Sequence, residues 1–181
     1  MKKTDNNLID INPSIFNDKL NTLIADLLDE TDYRKKHNAR KTLVKMGKKI
    51  IPDFHVLLKS KDDLTRREAA KVVQLVADLR SIPILISLLD DNEFDIRWIA
   101  SEGLIRIGRK SIIPLLEAIC VGKSSLFLDR RAHQILCSLL YENEKEQLKP
   151  LLLSLDNYHE LGEIAPAEAS KVLKAKIKFR A

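Results

Sequence analysis

The sequence predicts an all-α protein built from about five repeated helical hairpins. Three observations predict it. Proline recurs at Pro52, Pro83 and Pro114, each 31 residues apart, in the settings IIPDFHVLL, SIPILISLL and SIIPLLEAI. Alanine recurs at Ala39, Ala69 and Ala100, at spacings of 30 and 31, within HNARKTLVKMG, REAAKVVQLVA and WIASEGLIRIG. Two series with one period and a constant offset mean a two-helix unit, repeated. The composition agrees: Gly and Pro are scarce, aromatics are 5% of the chain, and helix-favouring Leu, Lys and Glu are abundant.

Each unit reads as helix A, a short acidic turn and helix B. The proline stands near the start of helix A, where a missing N–H costs little. The turns are DETD (29–32), KSKDD (59–63) and DDNE (90–93). Acids there suit the start of helix B, where backbone N–H groups lack partners and the dipole is positive. Helix B carries the alanine column, which lets neighbouring helices approach. An acid precedes a base by four positions in three units: Asp32 and Lys36, Asp62 and Arg66, Glu93 and Arg97. As exposed helical pairs these are worth about 0.3–0.5 kcal/mol each, and stacking would set them in a row.

Taken in chain order, the first unit has Thr22 in place of the proline, with helix B in YRKKHNARKTLVKM. The second and third follow the pattern closely. The fourth has SIIPLLEAI and then LFLDRRAHQILCSLL, which lacks the acid–base pair and is expected to shift register by about one residue. YENEKEQ reads as a loop that lengthens the step to Pro150. The fifth unit has LKPLLLSL, an irregular DNYHELGE connection and APAEASKVLKAKIKF. Residues 1–11 are expected to be a flexible tail and residues 12–181 a single domain. Atypical end units fit a stack that must cap its apolar surface.

Pro83, then Asp91 with Glu93, then Ile96-Arg97 followed by Ala100 carry a resemblance to the HEAT repeat family. The chain resembles most the short bacterial HEAT repeats of phycobilisome-lyase proteins, over roughly residues 14 to 178. The resemblance implies a right-handed α-solenoid whose B helices line the concave side. It also implies a binding scaffold, with partners that vary from member to member.

On a helical wheel, Ile96, Ala100, Gly103, Leu104 and Ile107 share one face, with Ile99 at its edge. Trp98, the only tryptophan, lies opposite with Ser101, Glu102 and Ile105. Aligning the B helices gives columns: His37, Arg67, Trp98, Arg130; Arg40, Ala70, Ser101, His133; Lys41, Lys71, Glu102, Gln134; Lys45, Leu75, Arg106, Ser138. The candidate partner-binding residues are therefore Trp98, Arg67, Arg130, His37, Arg40, Lys41, Lys71 and Arg106. Between Tyr33 and Lys49 there are eight Lys or Arg and no acid. That run reads either as a solvated face or as a binding face. Trp98 reads either as a cation–π step between Arg67 and Arg130 in stacked units, worth about 0.5–1 kcal/mol, or as a ligand contact.

The net charge of +5 permits acidic or nucleic-acid partners without demanding either. MKKTDNNLIDINPS has no apolar run, so no signal peptide is expected, and no stretch reaches the 18 apolar residues of a membrane span. Cys120 and Cys137 form no CxxC pair and read as reduced thiols, so a cytoplasmic location is expected. There is no GxGxxG, no GxxxxGK[ST] and no GxSxG, and His37, His55, His133 and His159 lack metal-ligand spacing. No catalytic residue, cofactor, metal or small-molecule substrate is expected, and the chain reads as a non-enzyme.

Two functions remain. The first is a scaffold that holds an acidic or amphipathic segment of a protein partner in a basic concave groove centred on Trp98. The alternative is nucleic-acid binding through the same groove, with Lys36, Arg40, Lys41, Lys45, Arg67, Arg130 and the C-terminal KAKIKFR on phosphates and Trp98 on a base. HEAT-like alkylpurine DNA glycosylases offer a distant likeness for it, and no catalytic residue carries over from them. The acidic turns and the modest charge favour the protein partner.

Overall fold

A computed structural model describes residues 16–121, 125–157, 164–175 and 179. The tail expected at residues 1–11 lies outside the described residues. So do most of DNYHELGE, His159 included, and most of KAKIKFR. The described chain is all-α, with helices packed in neighbour pairs. It divides into two compact units, Met1–Asp78 and Leu79–Ala181.

The first unit holds α1 (Asp18–Leu28), α2 (Tyr33–Met46), α3 (Ile51–Leu57) and α4 (Asp63–Val76). α1 packs on α2 and α3 on α4, while the B-type helices α2 and α4 lie side by side. Polar residues start the helices as their sequence positions require. Asn17 accepts from the Leu20 N–H, Asp32 from those of Arg34 and Lys35, and Asp62 from that of Thr65, satisfying donors that have no helical partner. α2 stops at Gly47, whose φ of +64° is open to glycine and costly for other residues. A tight turn over Gly47–Ile50 leads into α3, with Pro52 in its first turn. Leu20, Ile24, Leu27, Leu43, Phe54, Leu57, Val72 and Val73 are buried and form the core.

The second unit holds α5 (Ile82–Ser87), α6 (Phe94–Ile107), α7 (Ile112–Val121), α8 (Leu126–Leu139), α9 (Glu142–Gln147), α10 (Lys149–Asp156) and α11 (Ala165–Lys174). α5 packs on α6, α7 on α8, and α6 against α8. The expected one-residue register shift in the fourth unit occurs, with α8 following α6 by 32 residues where the prolines repeat every 31. Leu128, Asp129, Ala132, Ile135 and Leu136 are buried where α6 buries Ile96, Arg97, Ala100, Gly103 and Leu104. Ser125 caps α8 by accepting from the Leu128 N–H, which sets the start of the helix and hence its register.

YENEKEQ is not a loop. It forms α9, whose first turn closes when the Glu144 carboxylate accepts from the Tyr141 N–H at 2.8 Å. This added helix lengthens the path to the last hairpin, and the packing order changes there. α10 lies against α8, and α11 lies against α7. The last A-type helix thus meets a B-type one, and the last B-type helix meets an A-type one. Ala165 and Ala169 are buried on α11, and their small side chains allow its close approach to α7.

The turn arginines do more than pair along a helix. Arg66 donates to the carbonyl oxygens of Ser60 and Lys61, at 3.0 and 2.9 Å. Arg97, largely buried, donates to those of Asp91 and Asn92, at 2.6 and 2.8 Å. Each arginine therefore ties the A–B turn to the start of helix B, a structural reason for the recurring base. Lys36 pairs with Glu68 and not with Asp32, which is engaged as the cap of α2.

Candidate functional site

In the first unit, the parallel run of α2 and α4 leaves a concavity of about 470 Å³. His37, Arg40, Lys41, Val44, Lys45 and Leu75 line it. Leu75 is an exposed leucine, and Val44 lies half-buried beside it. The groove thus has an apolar floor under a cationic rim. His37 also stacks on Tyr33, with ring centroids 6.2 Å apart.

Part of the expected positive charge is neutralised below this groove. Glu68 on α4 is buried, and its carboxylate meets three cations: Lys71 at 2.9 Å, Lys36 at 3.3 Å, and Arg40. Burial pushes the Glu68 carboxyl up, but the bonds from Lys71 and Arg40 outweigh it and hold the group below its ordinary value. Lys36, Arg40 and Lys71 are therefore engaged by one carboxylate, while Lys41 and Lys45 stay exposed. The Nε of Arg40 is buried without a hydrogen-bond partner among the described residues.

Glu68 stands one position before the alanine column. Ile99 and Arg131 hold the same place in α6 and α8. On α4 that position turns toward α2, and on α8 it turns toward α6. Arg131 is accordingly the guanidinium over Trp98, 5.3 Å from the ring centroid, where alignment of the columns had suggested Arg130. Arg130, one residue earlier, points to solvent. The signal for Glu68 was present in the sequence, because its place is the edge of the core stripe and an acid there must find cations.

Trp98 is 46% exposed, and it stands off the stripe of Ile96, Ala100, Gly103 and Leu104 as the wheel predicts. Its neighbour on the wheel, Ser101, is fully buried, as is Ala70 in the same column. At α4 and α6 that column is packed inside and is not an open surface. Arg106 is exposed, Arg67 is half-buried, and Arg130 lines a second concavity with Phe94, Arg97, Phe127 and Arg131. The structure thus joins His37, Arg40 and Lys41 in one groove of the first unit and puts Trp98 and Arg130 in one neighbourhood of the second. Val44, Leu75, Phe94, Phe127 and Arg131 were not among the sequence candidates.

The two cysteines are half-buried, and burial, the largest influence, raises both thiols above their ordinary value. Among the described residues, no group of His, Cys, Asp and Glu is arranged to hold a metal ion, and no helix is long and apolar enough to cross a membrane.

Helix pairs of one design, capped, stapled and packed in neighbour order, define a helical-repeat protein. The profile of HEAT repeats matches residues 20–105 and 56–137, and the chain belongs to that family. HEAT repeats generally serve as protein-interaction scaffolds and are typically non-catalytic. A comparison with curated proteins finds no match.

Proposed function

We propose that the chain is a non-catalytic scaffold that holds an acidic or amphipathic segment of a cytoplasmic protein partner on its basic B-type helices. The observation that carries this reading is the groove between α2 and α4, with Val44 and Leu75 beneath His37, Arg40, Lys41 and Lys45. An apolar floor receives the apolar side of a segment, and a cationic rim meets its acids. Residues 12–181 act in this reading as one solenoid domain, and a preformed surface needs little ordering on binding. Trp98 and Arg67 serve as anchors, since both residue types are enriched at hot spots. Lys41, Lys71, Arg106 and Arg130 set charge complementarity and association rate.

A test uses a dye-labelled synthetic peptide of alternating Glu and Leu, followed by anisotropy. Binding by the wild-type protein that falls about tenfold in a Lys45→Glu, Leu75→Glu double variant supports the groove. Equal affinity in the two proteins would remove the groove from the proposal. An unchanged affinity in Trp98→Ala would remove Trp98 as an anchor. Single-stranded oligonucleotides that outcompete the peptide, with affinity collapsing as salt rises, would move the assignment to nucleic acid.

A further inference from the structure

The first turns of α6 and α8 gather aromatic surface and positive charge in one place. Phe94, Trp98 and Phe127 are 59%, 46% and 45% exposed, although large aromatic side chains ordinarily seek burial. Arg97, Arg130 and Arg131 share a concavity of about 240 Å³ with the two phenylalanines. The Arg97 guanidinium lies 4.0 Å from the Phe127 ring centroid and 5.8 Å from that of Phe94. The Arg131 guanidinium lies 5.0 Å from the Phe94 centroid. Two cations therefore flank one ring.

Charge here is out of balance, unlike around Glu68 and Glu144. Lys36, Arg40 and Lys71 converge on Glu68, and Arg109 pairs with Glu144. Among the described residues, no carboxylate forms an ion pair with Arg97, Arg130 or Arg131. Arg97 directs one nitrogen to the turn carbonyls, and Arg131 directs one to the Gln134 amide oxygen at 2.9 Å. Arg130 is exposed and makes no intramolecular bond among the described residues. Burial and then the neighbouring Arg97 weaken the hold of Arg131 on its proton, with Glu102 opposing them. An anion brought to this point would relieve that repulsion.

We infer that this concavity is a docking point for an acidic segment of a protein partner: it seats a carboxylate between Arg130 and Arg131 and an adjacent large apolar side chain on Phe94, Trp98 and Phe127. The inference rests on the scaffold reading and adds a contact point separate from the α2–α4 groove. Guanidinium forks match carboxylates in two-point hydrogen bonding. Trp, Phe and Arg together are the composition of an interface centre. The cations form a compact cluster over one cavity, whereas a nucleic-acid strand is tracked by cations spaced along a path.

Trp98, the only tryptophan, stands within this cluster, so its fluorescence reports on it directly. The probes are short synthetic peptides in which Glu alternates with Phe or Leu. The inference expects a saturable change in Trp98 emission. It expects about a tenfold weaker titration in Arg130→Glu, with an unchanged melting curve because Arg130 has no partner to lose among the described residues. It also expects the Lys45→Glu, Leu75→Glu variant to give the wild-type Trp98 titration. Peptides that bind by anisotropy while Trp98 stays silent would overturn this site and leave the scaffold standing. An Arg130→Glu protein that titrates like wild type would also overturn it, as would the absence of any peptide binding. Oligonucleotides that change Trp98 emission at lower concentration than the peptides would assign the cluster to nucleic acid instead.

Discussion

Glu68→Gln is the substitution that probes the first unit most directly. The Glu68 side chain is 2% exposed and holds Lys71, Lys36 and Arg40 at once. Glutamine keeps the shape, loses the charge and turns one polar end into a donor facing cations. Removing one member of a buried pair costs about 3–5 kcal/mol, and a hydrogen bond to a charged group contributes about 1.5–3 kcal/mol. The three cations are 15–35% exposed and can turn toward water, which favours the lower figure, about 2 kcal/mol. For a chain of this size that is a fall of roughly 4–8 °C in Tm. The pH dependence has a definite sign. Folding lowers the Glu68 carboxyl below its ordinary 4.5, so its contribution is present above that value and is lost as pH falls through the folded-state value. Calorimetric melts at neutral pH, at pH 5 and near pH 3 should show the gap between the two proteins narrowing as acid is added. A Glu68→Gln protein that melts within about one degree of wild type at neutral pH would refute the reasoning. So would a gap of constant size at every pH.

The other predictions concern the second unit and the helix ends. Arg109 grips Glu144 at 2.6 and 3.0 Å, bonds the Leu139 carbonyl and lies 4.2 Å from the Tyr141 ring centroid. Arg109→Ala should cost about 3 kcal/mol by urea titration, and amide exchange should rise first in α9. Gly108 sits at φ +89° and ψ −157°, with nothing within 4 Å of an added Cβ. Gly108→Ala should therefore lose about 1–3 kcal/mol through backbone strain alone, read as a lower urea midpoint at constant slope. Ala77 ends α4 in the left-handed region, at φ +52°. Ala77→Gly should raise stability by about 0.5–1 kcal/mol in the same assay, the reverse of the usual helix-end penalty for losing a side chain. Asp62→Ala removes the acceptor of the Thr65 N–H and hydroxyl and should cost about 1–2 kcal/mol in thermal melts.

The repeat made most of the architecture readable from the chain. Proline and alanine spacing placed α2 through α7, because those residues act through local backbone geometry and close approach, and both leave a period. Asp32 and Asp62 announced their helices for the same reason, since a cap serves N–H groups only two or three residues away. Trp98 was correctly placed off the core, because helical geometry alone sets which side it faces. What neighbouring helices do to one another was less accessible. The partner of Trp98 is Arg131 because the position before the alanine turns toward the preceding B-type helix, and that direction appears only when two helices are packed. Glu68 draws in Lys36 and Arg40 across the same kind of contact, so a run that reads as free positive charge is partly spent internally. The exchange of α10 and α11 had no local signal either. It follows from the helix formed by YENEKEQ and from the fit of Ala165 and Ala169 against α7. Local rules act over one turn of helix and can be read from a single chain. Pairing of charges and choice of neighbour depend on which surfaces are brought together, and only the tertiary structure decides that.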